Sequence, residues 1–327
     1  FDQSQNKLVG YAWAGAEKDG GLGWIDFNNV NVGPILQAWL QTQYGDVFSN
    51  KDVTLSTPSG SQFNATYLIQ AGGTIGVDTR SGGQQSLYPQ IGLPSSTTQY
   101  INVLGRLDFN EMLGQPPISS GTRSSRYGTT VALESGDISD YINGTLFGKL
   151  DGMIYYYQGD ATIDQAVEIV KGGGDSSGAG TFIVDGDLTI DRDVIYNSDS
   201  GDKLVNIPSV AWIVRGNITI GPNVKNLVGT FFALGCPGDA DGDDSNDLPC
   251  GDAEQGLFDA GSSSTDPLIM SGLVMAYQFD VASRTYVNQV TKDPAVQVNY
   301  DGRFIANPPP GLQNLAALMP TVRQITP

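Results

Sequence analysis

The chain has 327 residues, is 39% hydrophobic, and sets 35 acidic against 17 basic side chains for a formal net charge of −18. Length and apolar content allow a packed core. The charge repels phosphate backbones and anionic lipid headgroups, so neither nucleic acid nor a membrane surface is expected as a partner. Histidine is absent, which removes Ser-His-Asp and Cys-His catalysis, histidine general bases and most zinc sites.

No run of 18 apolar residues occurs, so the chain is not expected to span a bilayer. The 42 glycines, with abundant Ser, Thr, Asn and Asp, are turn chemistry that favours many short strands. Phe1 in place of an initiator Met is expected to follow removal of a leader, which implies secretion. A leading Phe also fits pilin processing, but the polar "FDQSQNKLVGYAW" is not a pilin helix.

Taken in chain order, "GYAWAGAEKDGGLGWIDFN" (10–28) predicts a hairpin of two aromatic-bearing strands around a Gly-rich turn. Residues 1–150 are expected to form a β-rich module or irregular first coils, with long polar loops at 79–97 and 115–128. Residues 151–327 carry a repeat. "YYYQGDATI" (155–163), "FIVDGDLTI" (182–190) and "WIVRGNITI" (212–220) match position by position at offsets of 27 and 30, and Val194 and Val224 extend the match. A looser copy, "LIMSGLVMA", lies at 268–276, and "QYGDVFS" (43–49) is an earlier echo.

Each copy reads as strand, corner, strand. Glycine is expected to supply a positive φ at the corner, and Asp or Asn to cap the backbone there. A period near 30 residues with two or three strands suits one turn of a parallel β-solenoid, whose stacked coils bury a common core. An antiparallel sandwich of similar hairpins is the alternative. The expected fold class is therefore all-β: a β-helix-like parallel solenoid, a less regular N-terminal part and one or two short helices. The helices are expected at "TIDQAVEIVK" (162–171), with apolar residues at 163, 166, 167 and 170, and at "GLQNLAALMP" (311–320).

Few motifs carry chemistry. "GDSSG" (174–178) matches a nucleophile elbow but has no histidine partner, so it reads as a Gly/Ser loop. "DGDLTIDRD" offers Asp185, Asp187, Asp191 and Asp193, and an outward pair of these would suit a glycosidase. Asp160, Asp187 and Asn217 share one repeat position, however, and so read as a stacked corner ladder. "YYY" (155–157) would suit a carbohydrate platform, but its repeat position favours core packing. The sequons at Asn64, Asn143 and Asn217 matter only in a glycosylating host.

The two cysteines, Cys236 and Cys250, bracket "CPGDADGDDSNDLPC" (236–250). In a secreted chain they are expected to pair, which in the chain-entropy model stabilises by about 3 kcal/mol. Asp239, Asp241, Asp243 and Asp247 fall at positions 1, 3, 5 and 9 of a calcium-loop count, so Ca²⁺ is the candidate cofactor. Position 6 is Asp244 and position 12 is Cys250, so this is not an EF-hand. A solvated acidic loop is the alternative. Either way, the stretch is expected to be an excursion from the solenoid wall.

The phrases "GYAW…GWIDFN", "YGDVFSNKDV", "MIYYYQGDATI", "GTFIVDGDLTI", "NLVGTFFALG" and "VNYDGRFIANPPPGL" occur together. As a set, the chain resembles large secreted surface proteins of candidate-phylum, ultra-small bacteria. Its C-terminal part is similar to β-solenoid domains of pilus-associated and bactofilin-like polymer-forming proteins. The resemblance implies an extracellular structural or adhesive role and brings no catalytic residues. The expectation is an extracellular, non-enzymatic structural protein that assembles with copies of itself into a filament, tube or layer. The alternatives are an adhesin that binds surface glycans and a polysaccharide-active β-helix enzyme.

Overall fold

The computed structural model describes strand segments at 11–14, 23–26, 37–43, 47–49, 53–55, 61–65, 69–71, 75–77 and 91–92. It then describes residues 118–197, 203–235, 256–263, 265–276, 278–281, 283–286 and 293–318.

Strands β1 (Tyr11–Ala14) and β2 (Gly23–Asp26) pair antiparallel with Trp13 opposite Trp24, as the hairpin pattern predicts. Next come β3 (Gln37–Gln43), β4 (Val47–Ser49), β5 (Val53–Leu55), β6 (Ser61–Ala65), β7 (Ile69–Ala71), β8 (Ile75–Val77) and β9 (Ile91–Gly92). They are followed by β10 (Thr122–Ser125), β11 (Gly128–Ala132) and a short helical segment, Ile138–Leu146. The repeat region then supplies β12 (Ile154–Gln158), β13 (Ala161–Ile163), β14 (Val167–Ile169), β15 (Ala179–Asp185), β16 (Leu188–Ile190) and β17 (Val194–Tyr196). It continues through β18 (Ser209–Val214), β19 (Ile218–Ile220), β20 (Asn226–Ala233), β21 (Leu257–Asp259), β22 (Leu268–Ala276), β23 (Gln278–Asp280) and β24 (Val296–Asn299).

The architecture is mostly β and mostly parallel. The large sheet has ten strands in the order β10-β11-β12-β15-β18-β20-β22-β24-β3-β6, and only its β10–β11 pair is antiparallel. A second, five-stranded sheet runs β13-β16-β19-β21-β23, and β14 pairs with β17 in a third. Each circuit of the repeat adds one strand to the large sheet and one to the second, in register: Tyr155 lies opposite Phe182, Phe182 opposite Trp212, and Thr162 opposite Thr189. β3 continues the large sheet beyond β24, with Leu40 opposite Val296. Both ends of the ten-stranded sheet therefore come from the first 150 residues.

The alternation of side chains across strands separates two apolar layers. On the inner face Tyr155, Phe182, Trp212 and Phe231 form a continuous stack, with ring centroids 4.8, 4.9 and 6.4 Å apart. Phe258 and Phe279 extend it by edge and tilted contacts. The aromatic position of the repeat is thus the spine of the core. On the outer face Ile154, Tyr156, Ile183, Ile213 and Phe232 are buried beneath Phe304, Leu312 and Leu315.

That cover is residues 300–316, the "YDGRFIANPPPGL" motif and the helix after it. Thr181 donates to the Pro310 carbonyl at 2.7 Å, Asn307 donates to the Val205 and Ile207 carbonyls, and the Arg303 guanidinium lies 4.5 Å over the Tyr196 ring. The helix expected at 311–320 is present as Gln313–Leu318. Just before it, strand β24 stops at Asn299 and Arg303–Ala306 is a helical turn.

The helix expected at 162–171 is not formed. That segment is β13, a corner, and β14. Ile163, Val167 and Ile169 are buried while Thr162 and Glu168 are exposed. Two three-residue strands joined by a three-residue corner reproduce helical spacing, which misleads a periodicity count. The looser copy at 268–276 is also shifted. Gly272 sits inside β22 opposite Gly229, not at a corner. A Cβ there would lie 1.8 Å from the Gly229 carbonyl oxygen, so close approach of two backbones explains it.

Burial pushes the Tyr155 hydroxyl well above the usual tyrosine range, and it does the same to Tyr196. The folded protein therefore holds these protons to higher pH than the unfolded chain, whose tyrosines ionise near pH 10. This contribution is fully present below about pH 10 and is lost as pH rises from there. The urea midpoint is expected to stay flat from about pH 7 to 9 and to fall steadily above 10. Tyr155→Phe is expected to make that fall shallower. A midpoint level through pH 11 contradicts this assignment.

Candidate functional site at the Gly-Asp corner

The repeat converges on one corner, where the large sheet ends and the second sheet begins. Gly159, Gly186 and Gly216 occupy successive rungs, followed by Asp160, Asp187 and Asn217. Each acidic or amide side chain caps the next coil. Asp160 Oδ1 accepts from the Asp187 amide at 3.0 Å, Asp187 Oδ1 from the Asn217 amide at 2.7 Å, and Asn217 Oδ1 from the Leu257 amide at 2.9 Å. The expected corner ladder is present.

The expected role of its glycines needs correction. Of these three only Gly159 has a positive φ, 119°. The other two are required by crowding: a Cβ at Gly186 would meet the Gly159 carbonyl carbon at 2.5 Å, and one at Gly216 would meet Asp187 Oδ1 at 2.1 Å.

Asp187→Ala removes an acceptor from a half-buried amide and is expected to cost about 1–3 kcal/mol. Asp187→Asn is expected to fall within about 0.5 kcal/mol of wild type, because Asn217 already does the same work one coil further on. Chemical denaturation of the two variants checks the pair. Equal losses would contradict the ladder's role.

The carboxylates considered as an acid/base pair are engaged separately. Asp185 accepts from the Arg215 guanidinium at 2.7 Å and from the Tyr156 hydroxyl at 3.0 Å, with both ion-pair partners largely buried. Asp187 serves the ladder. Asp193 accepts from the Lys225 and Asn226 amides and from the Asn226 side chain. The structure does not bring Asp185 and Asp187 to a shared cleft.

The other sequence motifs have structural employment. Tyr155 is in the inner stack and Tyr156 in the outer layer, so two of the three rings of "YYY" are buried. In "GDSSG" the Gly174 and Ser176 carbonyls accept from the Asn206 side chain, which ties down a loop. Asn143 donates to the Ala166 carbonyl at 3.1 Å, and Asn217 belongs to the ladder.

Outside the ladder the corner presents rows to solvent. Thr162, Thr189 and Thr219 lie opposite one another on β13, β16 and β19, exposed or half-exposed. Asp160 and Asp187 flank them on the same side of the sheet, two residues earlier.

The acidic segment departs from this same corner. Gly256 takes the rung of Gly216, and a Cβ on it would lie 2.6 Å from the Gly235 amide, so the chain leaves and returns at one point. Cys236, Cys250, Asp239, Asp241, Asp243 and Asp247 lie outside the described residues, while Asn64 lies in β6 opposite Gln41. Among the described residues no cluster of three His, Cys, Asp or Glu side chains is arranged to hold a metal.

One residue escaped the sequence altogether. Arg284 is fully buried and donates to four backbone carbonyls: Ala260 and Asp266 at 3.0 Å, Val224 at 3.2 Å and Gly221 at 3.3 Å. Burial lowers its pKa, and the carboxylates of Asp266 and Asp259 oppose that shift. A single arginine in an irregular stretch carries no pattern from which this could be read.

No helix of the described residues is long and apolar enough to cross a membrane. No family model matches the sequence, and no curated protein matches it. Two solved structures have a partly similar arrangement. One is an ice-binding protein from an Antarctic bacterium of the Flavobacteriaceae, at 10% identity and a TM-score of 0.31, covering 82% of this chain and 48% of that one. The other is the DUF3494 domain of a Shewanella frigidimarina ice-binding protein, at 14% identity and a TM-score of 0.29, covering 81% and 89%. The chain spans about half the length of the first. Neither score is high enough to transfer a fold or an activity.

Proposed function

We propose that this chain is an extracellular structural protein, a parallel β-solenoid whose copies associate at a cell surface. The observation that carries this reading is the use of the repeat's polar groups. Asp160, Asp187 and Asn217 each stitch one coil to the next, and Asp185 is held by Arg215 and Tyr156. Side chains spent on rigidity are what a structural rod needs, and Asp185 and Asp187, the carboxylates that would suit an acid and a base, are both spent in this way. The protein is accordingly proposed to be non-enzymatic. A pairing of Cys236 with Cys250, and Ca²⁺ held by Asp239, Asp241, Asp243 and Asp247, belong to the same proposal as devices that stiffen the acidic loop.

Light scattering and electron microscopy of the purified chain, with and without EDTA, test it. Filaments, tubes or sheets that grow with concentration support the reading. A chain that is monomeric at every concentration overturns the assembly. A melting temperature indifferent to EDTA, with no Ca²⁺ bound by calorimetry, removes the metal.

The threonine row favours a second reading, adhesion to a repeating surface. Parallel strands place Thr162, Thr189 and Thr219 about 4.8 Å apart, a fixed lattice of methyl and hydroxyl groups. Ice and crystalline polysaccharide are surfaces of that kind. Thr189→Tyr breaks the lattice without entering the core. Binding to such a solid that survives this change argues against the row.

A further inference from the structure

Five strands of the large sheet, β12, β15, β18, β20 and β22, are each followed along the chain by a strand of the second sheet: β13, β16, β19, β21 and β23. Strand β24 is not. After Asn299 the chain turns to the outer face, where Arg303–Ala306 is a helical turn. The next strand of the large sheet, β3, is again followed by a strand, β4, but β4 pairs with β7 in a separate sheet. β22 and β3 are two spacings apart, with β24 between them. Following strands that keep pace leave β23 and β4 the same distance apart, about 10 Å, with room for one strand.

The edge of β23 carries the mark of this gap. Phe258 and Phe279 lie opposite each other, with ring centroids 5.3 Å apart. Phe258 is fully buried, whereas Phe279 is 40% exposed. The row of inward side chains is left open where its next member belongs. The backbone is open there too. The Gln278 amide donates to the Gly256 carbonyl, and the Asp280 carbonyl accepts from the Ala260 amide, both across to β21. Alternate residues of a strand face alternate neighbours, so the Phe279 amide and carbonyl face the gap. Among the described residues no strand pairs with that side of β23.

The flanking strands indicate what fits. β21, β23 and β4 read Leu-Phe-Asp, Gln-Phe-Asp and Val-Phe-Ser, each with phenylalanine in the middle. The residues of this chain in step with the gap follow suit. Asn299 lies opposite Gln43, and four residues beyond them begin Arg303-Phe304-Ile305 and Val47-Phe48-Ser49. The first of these segments is engaged elsewhere, with Phe304 buried in the outer layer and Arg303 over the Tyr196 ring. A second copy holds it the same way and brings the same net charge of −18, whereas a cationic segment is attracted to this body.

We propose that the gap between β23 and β4 is a docking site for an extended, phenylalanine-centred, cationic segment of another protein, which adds as a strand. The residues flanking its phenylalanine bond the Phe279 main chain, and its ring covers the Phe279 ring. Strand addition takes affinity from main-chain bonds and specificity from alternate side chains. The site goes beyond the structural reading and does not depend on association of copies.

The probe is a labelled peptide of residues 302–307, Gly-Arg-Phe-Ile-Ala-Asn, with blocked ends, titrated into the full chain by fluorescence anisotropy. Saturable binding of one peptide per chain is expected. A peptide carrying Phe304→Ala, and one methylated on the Ile305 amide nitrogen, are each expected to bind at least about tenfold more weakly. Phe279→Ala in the protein is expected to weaken the parent peptide in the same way. Phe147→Ala, at an exposed ring elsewhere, is expected to leave it unchanged. Circular dichroism melts establish that both variants are folded, and the methylated peptide tests the site on the unaltered protein. No saturable binding, or binding indifferent to the methyl group or to Phe279→Ala, overturns the site. If saturating peptide disperses assemblies of the wild-type chain in light scattering, the occupant is a second copy and the foreign partner falls.

Discussion

Trp212→Ala is expected to cost about 3–5 kcal/mol, the range for removing a large aromatic from a packed core. Trp212 is fully buried at the centre of the inner stack, between Phe182 at 4.9 Å and Phe231 at 6.4 Å. Its indole N–H donates to the Val228 carbonyl at 3.3 Å. Alanine leaves a void one coil high and an orphaned acceptor. Neither neighbour can close the gap, because both rings are fixed by their own strands. Trp212→Phe preserves the stack and loses the hydrogen bond and some volume, so a smaller loss of about 1–3 kcal/mol is expected. Urea denaturation reads both, with the m-value unchanged if only the folded state is affected. A loss under about 1 kcal/mol for the alanine variant would show that the stack is not a continuous core.

Arg284→Met is expected to cost at least about 3 kcal/mol, from several buried carbonyls losing a charged donor at about 1–3 kcal/mol each and not additively. The four carbonyls come from three successive parts of the stack: Gly221 and Val224, then Ala260, then Asp266. One planar guanidinium ties them together where the third sheet has run out of strands. Arg284→Lys keeps the charge but offers three donors from a single point rather than a fork, so an intermediate loss is expected. A lysine variant as stable as wild type would mean that charge alone, and not the fork, serves this site. Hydrogen exchange is expected to rise first at Ala260–Asp266 in the methionine variant, since those are the segments the clasp holds.

Much of the repeat region could be read without coordinates. The repeat copies pair as parallel strands in register, so residues at equal repeat positions become neighbours across a single strand spacing. That is why Tyr155, Phe182 and Trp212 could be recognised as core, and Asp160, Asp187 and Asn217 as a ladder. The helix expected at 162–171 went wrong for a local reason. Ile163, Val167 and Val170 are spaced like a helical face, and only the corner between two strands makes them otherwise.

By itself, then, the sequence determined what repeats: the strand-corner-strand unit, its aromatic position, its capping side chains and the sign of the surface. These depend on residues within one period, and one period is enough to express them. The tertiary structure alone decided what meets across long separations. It set β3 against β24, laid residues 300–316 over the outer face, put Gly272 against Gly229, and gathered four carbonyls around Arg284. Those contacts occur once each, between segments that share no pattern. They exist because stacking brings backbones within reach, and nothing in a local periodicity encodes that proximity.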